Sequence, residues 1–404
     1  MPLSRSPLAR LALIPPALLA LLAGCKGGNE STSTTNPGPT GTTTTGPSCA
    51  SIVAACTANQ QGCIEDAAGA KCAACAAGTF VGPTGTCDAI PGTPLPHDFP
   101  DNTATAGQEL TGSCRSWTLN NDAELWVNAV ELSQSESSHH SNWTYVPDDK
   151  YTGPDGIWPC SGRSYDFYSG VAAGGLLYSQ STQAVHEVQK FPAGVAIRVP
   201  PHARIISDIH VLNTSPDTIT GHATLTLYQL AADVVKVKLT SFHIEYDALD
   251  IPPHASARFT GDCAVAADVT KVTGAPFAPK VYYVLPHTHT LATAFFARIK
   301  GGPSDGKALL DLGSYNGEAH GRTFDPPMDM AGADGFTFGC QYTNPRTTDV
   351  GWGLGAGEMC EMFGFADSTA FFESRVSTGQ PDGTDGDVQL FTGTCKNQVF
   401  PPSN

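Results

Sequence analysis

The chain has 404 residues and a formal net charge of −16, with 22 Lys and Arg against 38 Asp and Glu. This acidic balance argues against nucleic acid and against anionic membrane surfaces as partners. Gly occurs 42 times and Pro 31 times, while charged residues make up 15% of the chain. That composition is typical of short strands joined by many turns and argues against a protein of long helices.

The N-terminus has the features of a bacterial lipoprotein signal. An apolar run from Leu11 to Leu22 follows two arginines and closes in the lipobox-like motif Leu-Ala-Gly-Cys, which ends at Cys25. The run is too short to span a bilayer comfortably, and its flanks are those of a secretory signal. Residues 1–25 therefore predict a signal peptide with a lipidated Cys25. This implies a lipid anchor to a membrane and a cell-envelope location, periplasmic or on the outer surface of a bacterium. The alternative is an ordinary cleaved signal with a chance cysteine.

The next two segments are predicted to be a tether and a cysteine-rich module. Residues 26–47 have almost no apolar content, so a flexible Ser/Thr/Gly/Pro tether is expected. Residues 48–90 hold six cysteines but few large apolar side chains, so disulfides must stabilise this module. The sequence leaves all fifteen pairings of six cysteines open. A zinc site at Cys72-x-x-Cys75 is the alternative. The six are Cys49, Cys56, Cys63, Cys72, Cys75 and Cys87.

The remaining chain is predicted to be all-β. From about residue 104, short runs rich in Val, Ile, Thr, Tyr and Phe alternate with turn residues, and helical periodicity is scarce. This region is longer than one sandwich normally needs, which favours two sandwiches in series. The phrases VPPHARI (199–205) and IPPHASARF (251–259) each precede a strand and would mark similar corners of two halves. The boundary is then expected near Asp250, giving sandwiches over 104–250 and 251–399.

Four small features carry metal-binding residue types. They are His139-His140, His210, His287-Thr288-His289 and Met359. Each one alone is more often structural than functional. In a strand, the side-chain period of two would point His287 and His289 from the same face, so both could share one ion.

The combination of these residues favours copper. Imidazole suits copper, and a thioether is a soft ligand that favours Cu(I). A set of two histidines and a methionine therefore describes a cuprous site, and a set of three histidines describes a site that can change oxidation state. Zinc would be expected to recruit cysteine or carboxylate instead.

The order His-His, His, His-Thr-His, Glu-Met-Cys resembles the type II, ascorbate-dependent copper monooxygenases, the relatives of peptidylglycine α-hydroxylating monooxygenase and dopamine β-monooxygenase. The resemblance runs from about Cys114 to Cys395, and its most specific parts are HTHTLA and FTFGCQYTN…GEMCEMF. It implies two tandem jelly-roll-like β-sandwiches, one per copper ion. The first ion, which relays electrons, is bound by His139, His140 and His210. The second ion, where dioxygen and substrate meet, is bound by the catalytic set His287, His289 and Met359.

The resemblance also implies disulfides. Cys114 and Cys160 bracket the His-His loop, and Cys340 and Cys360 bracket the loop before Met359. The family has bridges in similar places, so both pairs are expected. Cys263–Cys395 would then close the second sandwich.

The sequence departs from the peptide-amidating members at three positions. Those members hold a peptide carboxylate with Arg, Asn and Tyr, where this chain has Leu285, Glu361 and Phe363. Amidation of glycine-extended peptides is therefore not expected, and Glu361 is interpreted as an exposed acid. The remaining histidines, His243 among them, are expected to be structural or on the surface.

The expected activity is hydroxylation of a C–H bond of an unidentified small organic substrate. It would use dioxygen and a one-electron reductant such as ascorbate. One alternative is a non-catalytic copper-binding or copper-sequestering surface lipoprotein on the same fold. Another is an adhesion or carbohydrate-binding sandwich in which the histidines are incidental.

Overall fold

The computed structural model describes residues 47–58, 61–66, 68–136, 138, 141–313 and 319–401. The predicted signal with Cys25, nearly all of the predicted tether, and the pair His139-His140 lie outside the described residues. Among the described residues, no helix is long and apolar enough to cross a membrane.

The cysteine-rich module is held by three disulfides around a small apolar centre. These are Cys49–Cys63, Cys56–Cys72 and Cys75–Cys87. Because Cys72 and Cys75 are both in disulfides, the zinc alternative is wrong. The elements of the module are α1 (Cys49–Ala58), β1 (Gly62–Asp66), β2 (Gly69–Ala73), β3 (Thr79–Val81) and β4 (Cys87–Ala89).

The first half of the β region starts before the expected residue 104, because the strand at Thr93–Asp98 already pairs within its main sheet. It contains one short helix, α2 (Phe167–Ala173), and 3₁₀ turns at Cys160–Arg163 and Ala232–Val234. Its strands are β5 (Thr93–Asp98), β6 (Asn102–Ala104), β7 (Glu109–Thr118), β8 (Leu125–Gln134), β9 (Asn142–Val146), β10 (Gly156–Pro159), β11 (Gly175–Ser179), β12 (His186–Lys190), β13 (Val195–Val199), β14 (Arg204–Leu212), β15 (Ile219–Gly221), β16 (Ala223–Leu230) and β17 (Val237–Tyr246).

The second half again consists of strands with one helix, α3 (Ala266–Thr273). Its strands are β18 (Asp250–Ile251), β19 (Ala255–Ala264), β20 (Lys280–His287), β21 (Ala292–Lys300), β22 (Ala308–Gly313), β23 (Arg322–Asp329), β24 (Gly335–Asn344), β25 (Val350–Gly351), β26 (Glu361–Ala366), β27 (Phe371–Val376), β28 (Gln380–Asp385), β29 (Val388–Thr394) and β30 (Lys396–Phe400).

Each half is a sandwich, which confirms the predicted all-β, sandwich-like fold. In the first half, the sheet β10-β7-β14-β9-β11 packs on the β8 and β16 region of a long sheet. In the second half, the sheet β22-β21-β24-β19-β29-β28 packs on the β17 and β26 region of the same long sheet. Large aromatic side chains such as Trp143 in the first core and Phe259 in the second are fully buried, so apolar burial stabilises both layers.

Strand β17 connects the two halves. Its first residues pair in parallel with β13, from Val237 opposite Val195. Its later residues pair with β26 and β27, and Phe242 lies opposite both Gly364 and Phe372. One sheet therefore continues across the chain boundary expected near Asp250, while the two outer sheets belong to separate halves.

The two halves repeat a turn and a loop clamp. His202 and His254, which end the two Pro-Pro-His phrases, both adopt left-handed backbone conformations, with φ of 56° and 52°. Asn213 follows the last residue of β14, and Asn344 is the last residue of β24. The Nδ2 atom of each asparagine donates to three backbone carbonyls. The Oδ1 atom of each accepts the backbone amide two residues further along the chain. These shared features support the interpretation of the phrases as similar corners of two similar halves.

All twelve cysteines from Cys49 to Cys395 are paired. The three bridges of the β region are the pairs that the resemblance implies: Cys114–Cys160, Cys263–Cys395 and Cys340–Cys360. Their Cα–Cα distances of 5.1, 4.8 and 5.9 Å are those of ordinary disulfides.

Replacing Asn344 by alanine tests the loop clamp. The side chain is 1% exposed and donates to the carbonyls of Ile251, Pro252 and Thr348 at 3.0–3.1 Å. Asn344→Ala leaves the buried carbonyl of Ile251 and two partly buried carbonyls without this donor, so we expect the free energy of unfolding to fall by about 1–3 kcal/mol. Chemical denaturation measures it. The control, Asn120→Ala, changes an exposed residue and should shift it by less than about 0.5 kcal/mol. Equal values for the two variants would contradict the clamp.

Candidate metal centre

His287 and His289 lie where a strand turns. Strand β20 ends at His287, and His289 lies in the turn that follows, closed by a hydrogen bond from the amide of Ala292 to the carbonyl of His289. The expectation that both residues alternate along one strand is therefore wrong in detail. The rings nevertheless converge, with centroids 5.3 Å apart and planes at 81°. Two imidazoles in this arrangement can reach one ion.

The carboxylate of Glu358 fixes this turn. Its Oε2 accepts the amide of His289 at 2.9 Å, and its Oε1 accepts the amide of Leu291 at 2.8 Å. The Nδ1 atom of His289 lies 2.9 Å from the carbonyl oxygen of Gly357. Because a carbonyl can only accept, Nδ1 carries the proton, and the lone pair of the neutral ring is then on Nε2. A histidine oriented in this way is ready to bind a metal through Nε2.

Met359 follows Glu358 directly and is held on both sides. Its carbonyl accepts the hydroxyl of Tyr342 at 2.6 Å, and the next residue, Cys360, is bonded to Cys340. Met359 is buried, at 7% exposure. The structure therefore places the predicted thioether ligand on the loop that also holds the turn of His289.

His287 is oriented from the first half of the chain. Its Nδ1 lies 3.2 Å from the hydroxyl oxygen of Ser181, and both residues are buried. Ser181 lies between β11 and β12. The second-half histidine thus depends on a first-half hydroxyl for its orientation.

His210 lies at an irregularity of strand β14. The pairing of β14 with β7 shifts between Ile209 and Val211, and His210 lies at that shift. Its Nε2 lies 2.8 Å from Oε1 of Glu109, so this carboxylate orients the ring. Ser138, the residue before the His139-His140 pair, bridges to Val211, the residue after His210.

Glu109 also approaches the methionine loop. Its Oε2 lies 3.8 Å from the position that a Cβ atom would occupy on Gly355. Glu109 therefore contacts His210 of the first half with one oxygen and faces the loop of Met359 with the other. The regions that carry the two predicted ligand sets meet at this carboxylate.

The three positions that differ from the peptide-amidating enzymes are all buried. Leu285 and Phe363 lie in the apolar cluster of the first half, and the Phe363 ring stacks on His243 at 4.6 Å. Glu361 is 4% exposed, so its interpretation as an exposed acid is wrong. The reason is strand register, because Glu361 pairs with His287 on β20 and with Glu245 on β17 in the middle of the sheet.

Sequence reasoning missed a buried charged cluster beside this centre. Nε2 of His243 lies 3.2 Å from Oε2 of Glu361. Burial alone would raise the pKa of Glu361, but the His243 hydrogen bond and the nearby histidines lower it. Burial and the charge of Glu361 raise the pKa of Glu245 to about 8. The Arg375 guanidinium lies beside this group, with Nε 2.9 Å from Glu245 Oε2.

Part of this cluster was visible in the sequence. His243 and Glu245 alternate in SFHIEY, so they had to share one face of a strand. Nothing in the sequence showed that strands far along the chain would bring Glu361 and Glu373 to the same face. Glu358 had a local signal, since it adjoins Met359, but its bonds to the turn of His289 are set by tertiary packing.

A cleft of about 500 Å³ lies where the cysteine-rich module meets the β region. Its walls include Phe80 of the module together with His186, Tyr283 and His320. None of the predicted ligands His210, His287, His289 and Met359 lines it among the described residues.

No protein-family model matches the sequence, and no curated protein matches it either. The solved structures similar to this chain include the major capsid protein P2 of bacteriophage PM2, with 8% identity over 68% of this chain and 97% of that one and a TM-score of 0.30. They also include PBCV-1 VP54, with 6% identity over 69% and 95% and a TM-score of 0.22. The PBSX exported protein XepA has 8% identity over 75% and 97% and a TM-score of 0.19. Such weak likenesses do not bear on function.

Replacing Glu358 by glutamine tests the role of its carboxylate. Glutamine keeps one acceptor oxygen but presents an NH₂ group to the second amide, so one amide of the turn loses its partner. We expect the free energy of unfolding to fall by about 1–3 kcal/mol. Amide hydrogen exchange in residues 287–291 should accelerate.

The control is Asp382→Asn, at an exposed position of β28. It should change neither the stability nor the exchange of the turn. If Glu358→Gln left both quantities at their wild-type values, Glu358 would not fix the turn.

Proposed function

We propose that the protein is a copper-dependent monooxygenase that hydroxylates a C–H bond of a small organic substrate. The observation that carries this proposal is the convergence of the His287 and His289 rings beside the loop of Met359. Glu358 holds the two segments together, and the Cys340–Cys360 disulfide ties the loop of Met359 to strand β24. Two imidazoles and a thioether suit cuprous copper better than zinc.

A second copper ion would be held by His139, His140 and His210. The bridge between Ser138 and Val211 supports this part of the proposal, because it pairs the residues next to His139 and His210. With Nε2 of His210 directed to Glu109, the metal would be bound through Nδ1.

The contacts around His289 and Met359 make this set of ligands suitable for copper. His289 donates from Nδ1 to Gly357, which directs the Nε2 lone pair to the metal. The Met359 backbone is held by Tyr342 and its side chain is buried, so a weak thioether ligand loses less freedom on binding than an exposed one would. Copper would supply one-electron redox chemistry and activation of dioxygen, with ascorbate or a similar compound as reductant.

The protein itself would position ligands and control water. His287 and Met359 are buried at 6% and 7% exposure, whereas His289 is half-buried. Access for dioxygen and substrate would therefore be from the His289 side. Ser181 would hold the ring of His287 in place, and the carbonyl of Gly357 would hold the ring of His289. Glu358 would hold the backbone of the turn that carries His289.

The substrate is proposed to be a small molecule whose binding does not depend on a carboxylate group. Leu285 and Phe363 are buried apolar side chains, and the Glu361 carboxylate is bonded to His243. None of them can bind an anion. This supports a substrate class different from that of the peptide-amidating enzymes.

Replacing Met359 by leucine tests the proposal. The intact protein, reconstituted with Cu(I) and freed of excess metal, should retain two copper ions and take up oxygen with ascorbate once a substrate is supplied. Met359→Leu removes the sulfur but preserves volume. It should keep one copper and lose substrate hydroxylation. Metal analysis and product detection measure both.

The matched control is Met330→Leu, at a fully buried methionine of the second core. It should keep both copper ions and the activity. Stoichiometric zinc with no affinity for copper would refute the proposal. Copper binding without oxygen consumption by any substrate would favour the copper-sequestering alternative instead.

We further propose that Cys25 anchors the protein to a membrane of the cell envelope. The motif Leu-Ala-Gly-Cys supports this proposal. Cys25→Ser should move the protein from the membrane fraction to the soluble fraction, as measured by fractionation and immunoblotting. The control is Cys49→Ser, which removes a cysteine of the disulfide-stabilised module but leaves the motif intact and should leave the protein in the membrane fraction. An unmodified mature N-terminus elsewhere in the chain, found by mass spectrometry, would contradict the anchor.

A further inference from the structure

Three metal-binding side chains lie together on strands β17 and β27, outside the copper ligand sets. His243 and Glu245 alternate on β17 and so project from one face of the sheet. Glu373 lies opposite His243 on the parallel strand β27. One ring nitrogen of His243 and one carboxylate oxygen of each glutamate lie within 4.8 Å of one another. Two ligand atoms of one ion lie at most about 4.4 Å apart, because metal–ligand bonds are about 2.0–2.2 Å. Small side-chain movements would therefore bring these three atoms onto a single ion.

All three side chains are buried, and the histidine is oriented for metal binding. His243, Glu245 and Glu373 are 2%, 0% and 7% exposed. Nε2 of His243 is bonded to Glu361, while its Nδ1 is buried and has no hydrogen-bond partner among the described residues. A carboxylate on one ring nitrogen and a cation on the other is the usual arrangement at metal-bound histidines.

The charges around this group are unbalanced. The carboxylates of Glu245, Glu361 and Glu373 are buried, and Asp247 lies beside them. Facing them is the guanidinium of Arg375, which lies 2.9 Å from Glu245 and 2.6 Å from Glu373. Buried negative charge is costly unless it is paired, so a cation here would offset the excess that Arg375 leaves.

We propose that His243, Glu245 and Glu373 bind one divalent cation of the zinc, manganese or iron(II) class. One imidazole and two carboxylates suit such ions, and the absence of sulfur from the set distinguishes it from the His287, His289 and Met359 set. Arg375, which is a third exposed, contacts both glutamates and would yield part of that contact when the ion binds. The ion joins β17 to β27 in the middle of the long sheet.

Zinc is the probe for this site. The intact protein is first loaded with Cu(I) under anaerobic conditions, then exposed to Zn²⁺, passed over a desalting column and analysed for both metals. Wild type is expected to retain one equivalent of zinc that Glu373→Gln and Glu245→Gln lack. Met359→Leu is expected to lose one of the two copper ions and keep this zinc. A failure of the copper proposal would therefore not be mistaken for a failure of this one.

Arg375→Met provides a test that does not depend on the glutamate variants folding. Removing the competing guanidinium should tighten zinc binding, by roughly tenfold for a neighbouring charge in a partly buried setting. The proposal is overturned if wild type retains no zinc beyond what Glu373→Gln retains. It is also overturned if zinc binds only in Arg375→Met, because the natural protein would then use the guanidinium and not an ion.

Discussion

The two hydrogen bonds accepted by the buried carboxylate of Glu358 are the contact on which the candidate metal centre depends. They join the turn of His289 and Leu291 to the loop that carries Met359. Burial raises the pKa of Glu358, although both amides favour its charged form. An apolar side chain cannot replace it, because the carboxylate accepts one amide with each of its oxygens and an apolar group accepts none.

The rest of the second half supports that contact. The Cys340–Cys360 disulfide ties the methionine loop to β24, and Tyr342 on the same strand bonds to the carbonyl of Met359. The first half contributes Ser181 to His287 and Glu109 to the edge of the loop. The long sheet continues from one half to the other through β17, so it holds these first-half contacts in place relative to the second half.

Local patterns in the sequence predicted the all-β fold, because strand runs and turn residues depend on neighbours in the chain. The proposed ligands His287, His289 and Met359 could be named because each lies in a short motif. The burial of Glu361 and its bond to His243 could not be predicted, since they depend on the register of strands more than a hundred residues apart. The end of β20 at His287 was not predicted either, because the sequence HTHT is compatible with both a strand and a turn.

Copper K-edge X-ray absorption of the Cu(I)-loaded protein tests the central claim most directly. All twelve cysteines from Cys49 to Cys395 are in disulfides, so the sulfur ligand expected for copper among the described residues is a methionine thioether. The account predicts a sulfur scatterer in wild type that is lost in Met359→Leu and kept in Met330→Leu. A wild-type spectrum with only nitrogen and oxygen neighbours, or a sulfur signal that survives in Met359→Leu, would contradict it.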